Sequence, residues 1–109
     1  MKSEKILEKD IESYLREEVK KVGGNAYKFN SPENAGVPDR IVLLPRSRIV
    51  FIELKAPGAV PRPLQKVQIS KIKKFGFPVL VIDSKEKVDL FIQNTKYWNM
   101  DKLSKGLGG

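Results

Sequence analysis

Apolar residues recur every three to four positions at the start of the chain, condense into short continuous runs in its middle, and return to helical spacing afterwards. From about Ser3 to Val22, Ile6, Leu7, Ile11, Tyr14, Leu15, Val19 and Val22 share one broad face, which predicts an amphipathic helix. Gly23-Gly24 closes it, because glycine readily takes the left-handed conformation of a helix end. Ala26 to Asn30 predicts a short strand with Tyr27 and Phe29 on one side, followed by a loop of turn formers from Ser31 to Val37. Asp39 to Leu44 and Arg48 to Ala56 predict a hairpin turning at Pro45-Arg46-Ser47. Its runs Ile41-Val42-Leu43-Leu44 and Ile49-Val50-Phe51-Ile52 are apolar on both faces, so helices are expected to cover the sheet on both sides. After a Pro/Gly loop from Pro57 to Pro63, Leu64 to Phe75 predicts a second helix. Leu64, Val67, Ile72 and Phe75 should face inward, and Lys66, Lys73 and Lys74 outward. Pro78 to Asp83 predicts a buried strand, parallel to the strand of Glu53 through the helical crossover. Lys85 to Gln93 predicts a last short helix before a C-terminal tail from about residue 95. The order αβββαβα predicts an α/β fold with a mixed central sheet flanked by helices, in one domain over residues 1–109.

Composition narrows the chemistry. Lys and Arg total 21 against 13 Asp and Glu, a net charge of +8 that points to a polyanionic partner, nucleic acid foremost. The chain has no Cys, which excludes disulfides and thiolate–zinc sites. It also has no His, so imidazole bases and His–metal centres are excluded. A bound metal must be held by oxygen, which suits Mg²⁺ or Mn²⁺. No apolar run approaches a membrane span, and the N-terminus lacks a signal-peptide core, so a cytoplasmic location is expected.

Two phrases then stand out, Val37-Pro38-Asp39-Arg40 and Phe51-Ile52-Glu53-Leu54-Lys55, each ending an apolar run on ionised groups. Side chains alternate along a strand, so Glu53 and Lys55 share a face. A three-residue hairpin loop puts Asp39 opposite Glu53 on that face, whereas a two-residue loop separates them. Adjacent carboxylates repel unless a divalent cation joins them, and the main-chain carbonyl of Leu54 can add a third oxygen. Lys55 could then hold a water or steady charge growing on a phosphate. For an isolated Glu-x-Lys, a surface ion pair is the plainer reading, and Asp39 on the neighbouring strand strengthens the case for a site without displacing that reading. Glu8 can reach over the sheet edge from the first helix, with Glu4 and Glu18 near the same face and Glu12 further round. The Gln65 amide could orient water or phosphate, or simply start the helix. Lys28, Arg40, Arg46, Arg48, Arg62 and Lys66 are candidate contacts to DNA phosphates. Tyr97 and Trp98 could stack on bases or pack on the core.

Lys28-Phe29-Asn30-Ser31-Pro32, Gly36-Val37-Pro38-Asp39-Arg40, Phe51-Ile52-Glu53-Leu54-Lys55-Ala56-Pro57-Gly58 and Pro63-Leu64-Gln65 together resemble the VRR-NUC family of the PD-(D/E)XK nuclease superfamily. They lie in family order between about Glu8 and Ser84, and the chain is most like the small stand-alone members from phages and bacteria. The resemblance implies an αβββαβ nuclease core and Mg²⁺-dependent endonuclease activity on DNA. Asp39, Glu53 and Glu8 would match the acids at the metal, Lys55 the motif lysine and Gln65 the glutamine of the following helix. It also implies a homodimer that cuts four-way (Holliday) junctions or other branched duplexes. Ser31-Pro32-Glu33-Asn34 departs from the Ser-Pro-Gly of many members, which touches substrate preference rather than the metal site. Two rivals are a nuclease-like scaffold that binds nucleic acid without cutting it, and a basic domain that binds by charge alone.

Overall fold

The computed structural model describes residues 6–96 of the chain. In chain order these form α1 (Glu8–Lys21), β1 (Asn25–Lys28), β2 (Arg40–Leu44), β3 (Arg48–Leu54), α2 (Pro63–Lys74), β4 (Val79–Ile82) and α3 (Lys85–Thr95). The four strands form one mixed sheet in the order β1-β2-β3-β4. The first three run antiparallel to their neighbours and β4 runs parallel to β3, as the helical crossover through α2 requires. The αβββαβα order and the mixed sheet are those expected from the pattern of apolar positions.

Each helix start has a local cause. The Leu7 N–H donates to the Asp10 carboxylate at 2.9 Å, and the Ser84 hydroxyl accepts from the Lys87 N–H at 3.1 Å. At α2, Pro63 presets the first turn and the Gln65 side-chain carbonyl accepts the Arg62 N–H at 2.8 Å. The β2–β3 hairpin closes through Pro45-Arg46-Ser47, with Arg46 and Ser47 in left-handed conformations (φ 68° and 60°). Arg40 then faces Ile52, and Leu44 faces Arg48, which is the register of a three-residue loop.

Even-numbered strand residues build the core. Val42, Leu44, Val50, Ile52 and Leu54 pack with Ile11, Leu15 and Val19 of α1 and with Val88 and Phe91 of α3. The Tyr14 hydroxyl donates to Asp89 and locks α1 to α3.

The other face differs from expectation. Only part of it is covered, by α2, and that helix is turned the other way. Its buried side chain is Gln65, whereas Leu64, Val67 and Phe75 are exposed, Phe75 at 80%. Moving the inward position from Leu64 to Gln65 rotates the helix by about 100°, one residue's turn. Of the four residues expected to face inward, Ile72 is half-buried, and Gln65 instead donates to Glu53 on the sheet. Tyr27 and Leu43 therefore stay open, and Ile41, Ile49 and Phe51 are half-buried. A run of ring contacts, Phe29 on Phe51 (5.8 Å) and Phe51 on Phe77 (5.9 Å), fills the rest of this face.

Candidate active site

Asp39 and Glu53 meet at one end of β2 and β3. Asp39 follows the fully buried Pro38 and immediately precedes β2. Its main-chain carbonyl accepts the Phe29 N–H at 2.8 Å, and its carboxylate Oδ2 accepts the Leu54 N–H at 2.9 Å. The N–H and C=O of an extended residue leave the strand on the same side. The Leu54 carbonyl therefore points toward Asp39 as well.

Glu53 is the centre of the site. Only 1% of it is exposed, although it carries a carboxylate. Gln65 Nε2 donates to its Oε2 at 2.9 Å, and the Lys55 ammonium sits 3.2 Å from the same oxygen. Its other oxygen, Oε1, is buried without a hydrogen-bond partner. Burial pushes the Glu53 carboxyl above its ordinary range, and the charges of Asp39 and Glu8 push the same way. Contact with Lys55 opposes them in part. Gln65 has little freedom to hold a water, because its carbonyl caps α2 while its amide holds Glu53. It fixes the rotamer of the acid and is better described as a positioning residue.

These donors fit a hard divalent cation. A buried carboxylate oxygen without a partner costs roughly 1–3 kcal/mol or more, which a cation at Oε1 would relieve. Asp39 and the Leu54 carbonyl supply further oxygens, as Mg²⁺ prefers. Among the described residues no group of three or more carboxylates closes into a cage. Asp39, Glu53 and the Leu54 carbonyl would form the inner set for such an ion, and Glu8 stands further out, exposed, with its charge felt at Glu53.

Of the other first-helix acids, Glu12 is engaged elsewhere. Its Oε1 lies 2.8 Å from Arg40 Nη2 and 3.0 Å from Arg16 Nε. Arg40, expected at phosphates, is turned inward and clasps α1 to the start of β2. This clasp was not legible, because nothing in the spacing links residues 12 and 40. Arg48 is also not a surface cation. It is 8% exposed and donates to the carbonyls of Pro45 (2.8 Å) and Thr95 (2.6 Å), tying the hairpin to the end of α3. Arg46 is exposed at the hairpin tip, at the far end of β3 from Glu53, roughly 20 Å away at about 3.3 Å per residue. Arg62, just before α2, and Lys66, on its first turn, are exposed on either side of Gln65 in sequence, and Lys28 is exposed opposite Arg40. Glu18 pairs with Lys21 at 2.7 Å, away from the site. Glu4, Tyr97 and Trp98 lie outside the described residues.

Gly36 is a residue whose part sequence reading missed. Its φ is +92°, and a Cβ there would sit 2.8 Å from the Leu64 carbonyl oxygen and 3.1 Å from the Gln65 nitrogen. The loop before Asp39 thus packs directly on the start of α2. Gly36→Ala is expected to destabilise the fold by about 1–3 kcal/mol, read as a lower melting temperature. It should also loosen the Gln65–Glu53 hydrogen bond, because Gln65 moves with that backbone.

Known proteins resemble this chain in sequence and in fold. The model of the VRR-NUC domain matches residues 2–86. A phage protein named "Putative nuclease p44" (Acyrthosiphon pisum secondary endosymbiont phage 1) is 48% identical over 81 residues, covering 74% of this chain and 87% of its own length. A solved VRR-NUC domain superposes with a TM-score of 0.74 at 32% identity, over 79% of this chain and 94% of the other.

Proposed function

Because the chain belongs to the VRR-NUC family and is a nuclease, we propose that it is a Mg²⁺-dependent DNA endonuclease, working as a homodimer on branched duplexes such as four-way junctions. The observation that carries the metal dependence is the buried, unpartnered Oε1 of Glu53, a carboxylate that also feels the charge of Asp39. Asp39, Glu53 and the Leu54 carbonyl would hold the ion. Mg²⁺, or Mn²⁺ in its place, would supply Lewis-acid polarisation of the scissile phosphate and ease deprotonation of the attacking water.

The chain's own residues do the rest. Gln65 and Lys55 both hold Oε2 of Glu53, which leaves Oε1 without a protein partner. The Lys55 ammonium lies where negative charge grows on the phosphate oxygens as the bond to the leaving group breaks. Arg62, Lys66 and Lys28 are exposed near this end of the sheet and can hold flanking phosphates, which position the duplex without reading its sequence. The net charge of +8 favours a DNA substrate, and paired cuts across a junction are met most simply by two sites related by a two-fold axis.

The test is cleavage of linear duplex, flap and four-way-junction DNA with Mg²⁺, Mn²⁺ or EDTA. Product is expected only with metal, fastest on the junction. Asp39→Asn should bind DNA but not cut it. Binding without product in any metal would overturn the enzyme reading in favour of a scaffold.

A further inference from the structure

Aromatic rings gather on one face of the sheet, and it is the face of the candidate acids. Among the described residues, the α1/α3 core holds Phe91 with Tyr14 at its margin and is otherwise aliphatic. Tyr27, Phe29, Phe51 and Phe77 stand on the opposite side. Lys28 faces Arg40 and Arg40 faces Ile52, so one step further Phe29, Asp39 and Glu53 fall in a single row. The Phe29 N–H bond to the Asp39 carbonyl, at 2.8 Å, continues the ladder to that row. Tyr27, Ile41 and Phe51 form the next row, about 7 Å back along the strands. Phe51 joins the rings, with its centre 5.8 Å from Phe29 and 5.9 Å from Phe77. Tyr27 remains 50% exposed and Phe77 40%. A ring so open forfeits much of the burial that would favour it in a core, so the fold alone gains little from these two.

We infer that this face takes an unstacked base of the DNA, one that has lost a neighbour at a branch or in a single strand, and that Tyr27 is the ring it lies against. The inference rests on the reading of the chain as a DNA nuclease, and it names the surface that tells a branch from a continuous duplex. Inside a duplex each base is covered by its neighbours, and a protein meets only phosphates and groove edges. Stacking on an aromatic ring needs a free base face and tolerates any sequence. Position agrees. Tyr27 lies two strand steps and two residues from Glu53, roughly 12 Å, within a few nucleotides of a phosphate held at the acids. Charge agrees too. Lys55 shares this face with Glu53, and Arg62 and Lys66 are exposed around the start of α2 on the same side of the sheet. Phosphates flanking a stacked base therefore meet cations. A protein seated over these rings would crowd Asp39 and Glu53, the groups that DNA must reach.

Equilibrium binding in EDTA, which needs no cutting, tests it on a single strand, a flap and a linear duplex. Tyr27→Ala is expected to lose roughly 10-fold or more in affinity for the flap and the single strand, and less than about twofold for the duplex, with circular dichroism and sedimenting mass unchanged. Tyr27→Phe keeps the ring and should keep the preference. Phe77→Leu, on the far side of Phe51, should act like Tyr27→Ala and stands in if that variant folds poorly. Arg62→Gln should weaken all three DNAs alike, as a phosphate contact does. Leu90→Ala, exposed on the α3 layer, should weaken none. An equal loss on all three DNAs in Tyr27→Ala, or no loss on any, overturns the inference. So does a Tyr27→Ala protein of lower sedimenting mass, which would assign the face to a second copy of the chain. Absence of cleavage in every metal would count against the enzyme and leave these affinities as they stand.

Discussion

Glu53→Gln is expected to lower the cleavage rate by roughly 10³-fold or more, about 4 kcal/mol of transition-state stabilisation, while the protein melts at the same temperature or higher. The amide keeps the shape of the carboxylate and still offers an oxygen to Gln65 Nε2 and to Lys55. What it removes is charge. At 1% exposure that charge has lost its hydration, and it faces Asp39 and Glu8 as well as Lys55. The residue that disables the proposed metal site is therefore the one whose neutralisation relaxes the fold, a conflict common at functional sites. Single-turnover cleavage and thermal melting in EDTA, run on the same preparation, check both halves. A variant that keeps activity within tenfold of wild type, or that melts well below it, contradicts the argument.

The same residue sets a pH dependence in the metal-free protein. Its folded carboxyl titrates above the ordinary glutamate value, so between the two the native state holds more protons than the unfolded state. Stability linked to Glu53 is then full below the ordinary value and declines as pH rises through the folded one. Asp83 acts in the opposite sense. Lys87 and the Gly58 N–H hold its carboxyl below the usual aspartate value, so its contribution is present above that value and fades as pH falls through the lowered one. Comparing wild type with Glu53→Gln across pH isolates the first slope, because Asp83 is common to both. Where Glu53 still carries its proton, Mg²⁺ must displace it, so calorimetry should record proton release on binding that shrinks as pH rises.

The legible parts of this structure rest on short-range rules. The Pro45-Arg46-Ser47 loop has an odd length, and that parity alone decides whether Asp39 and Glu53 share a face. The apolar runs in β2, β3 and β4 and the stripe on α1 are likewise local and periodic. The orientation of α2 was not legible, because periodicity identifies an apolar stripe but not the partner that buries it. Leu64, Val67 and Phe75 read as inward, yet the hydrogen bonds of Gln65 to Glu53 and Arg62 turn that stripe outward. Arg48 illustrates a second limit. A cation at the start of a strand reads as solvated, and only the folded chain brings the Thr95 carbonyl, distant in sequence, to within 2.6 Å of it. Arg40 follows the same logic, satisfied by Glu12 from the helix layer. Local pattern located the acids and the lysine because strands present them at fixed spacing. The groups that hold them in place come from other layers.

Lys55→Met is expected to reduce the cleavage rate by roughly 10²–10³-fold, the range seen when one preorganised transition-state donor is removed, with DNA affinity nearly unchanged. The methionine chain fills much the same volume, and Lys55 is only one of 21 basic residues, so neither packing nor overall charge attraction falls far. Two consequences separate this variant from Glu53→Gln. Glu53 keeps its carboxylate but loses the cation 3.2 Å away that offsets burial and the charges of Asp39 and Glu8, so its titration moves still higher. Stabilisation of the fold by added Mg²⁺ should survive and move to higher pH, whereas in Glu53→Gln it should be lost at every pH. Raising the pH should then recover metal binding in Lys55→Met without recovering the rate, because no ammonium returns to meet the charge on the phosphate. Recovery of rate in step with metal binding would show that Lys55 acts only by keeping Glu53 ionised, and would remove it from the chemical step.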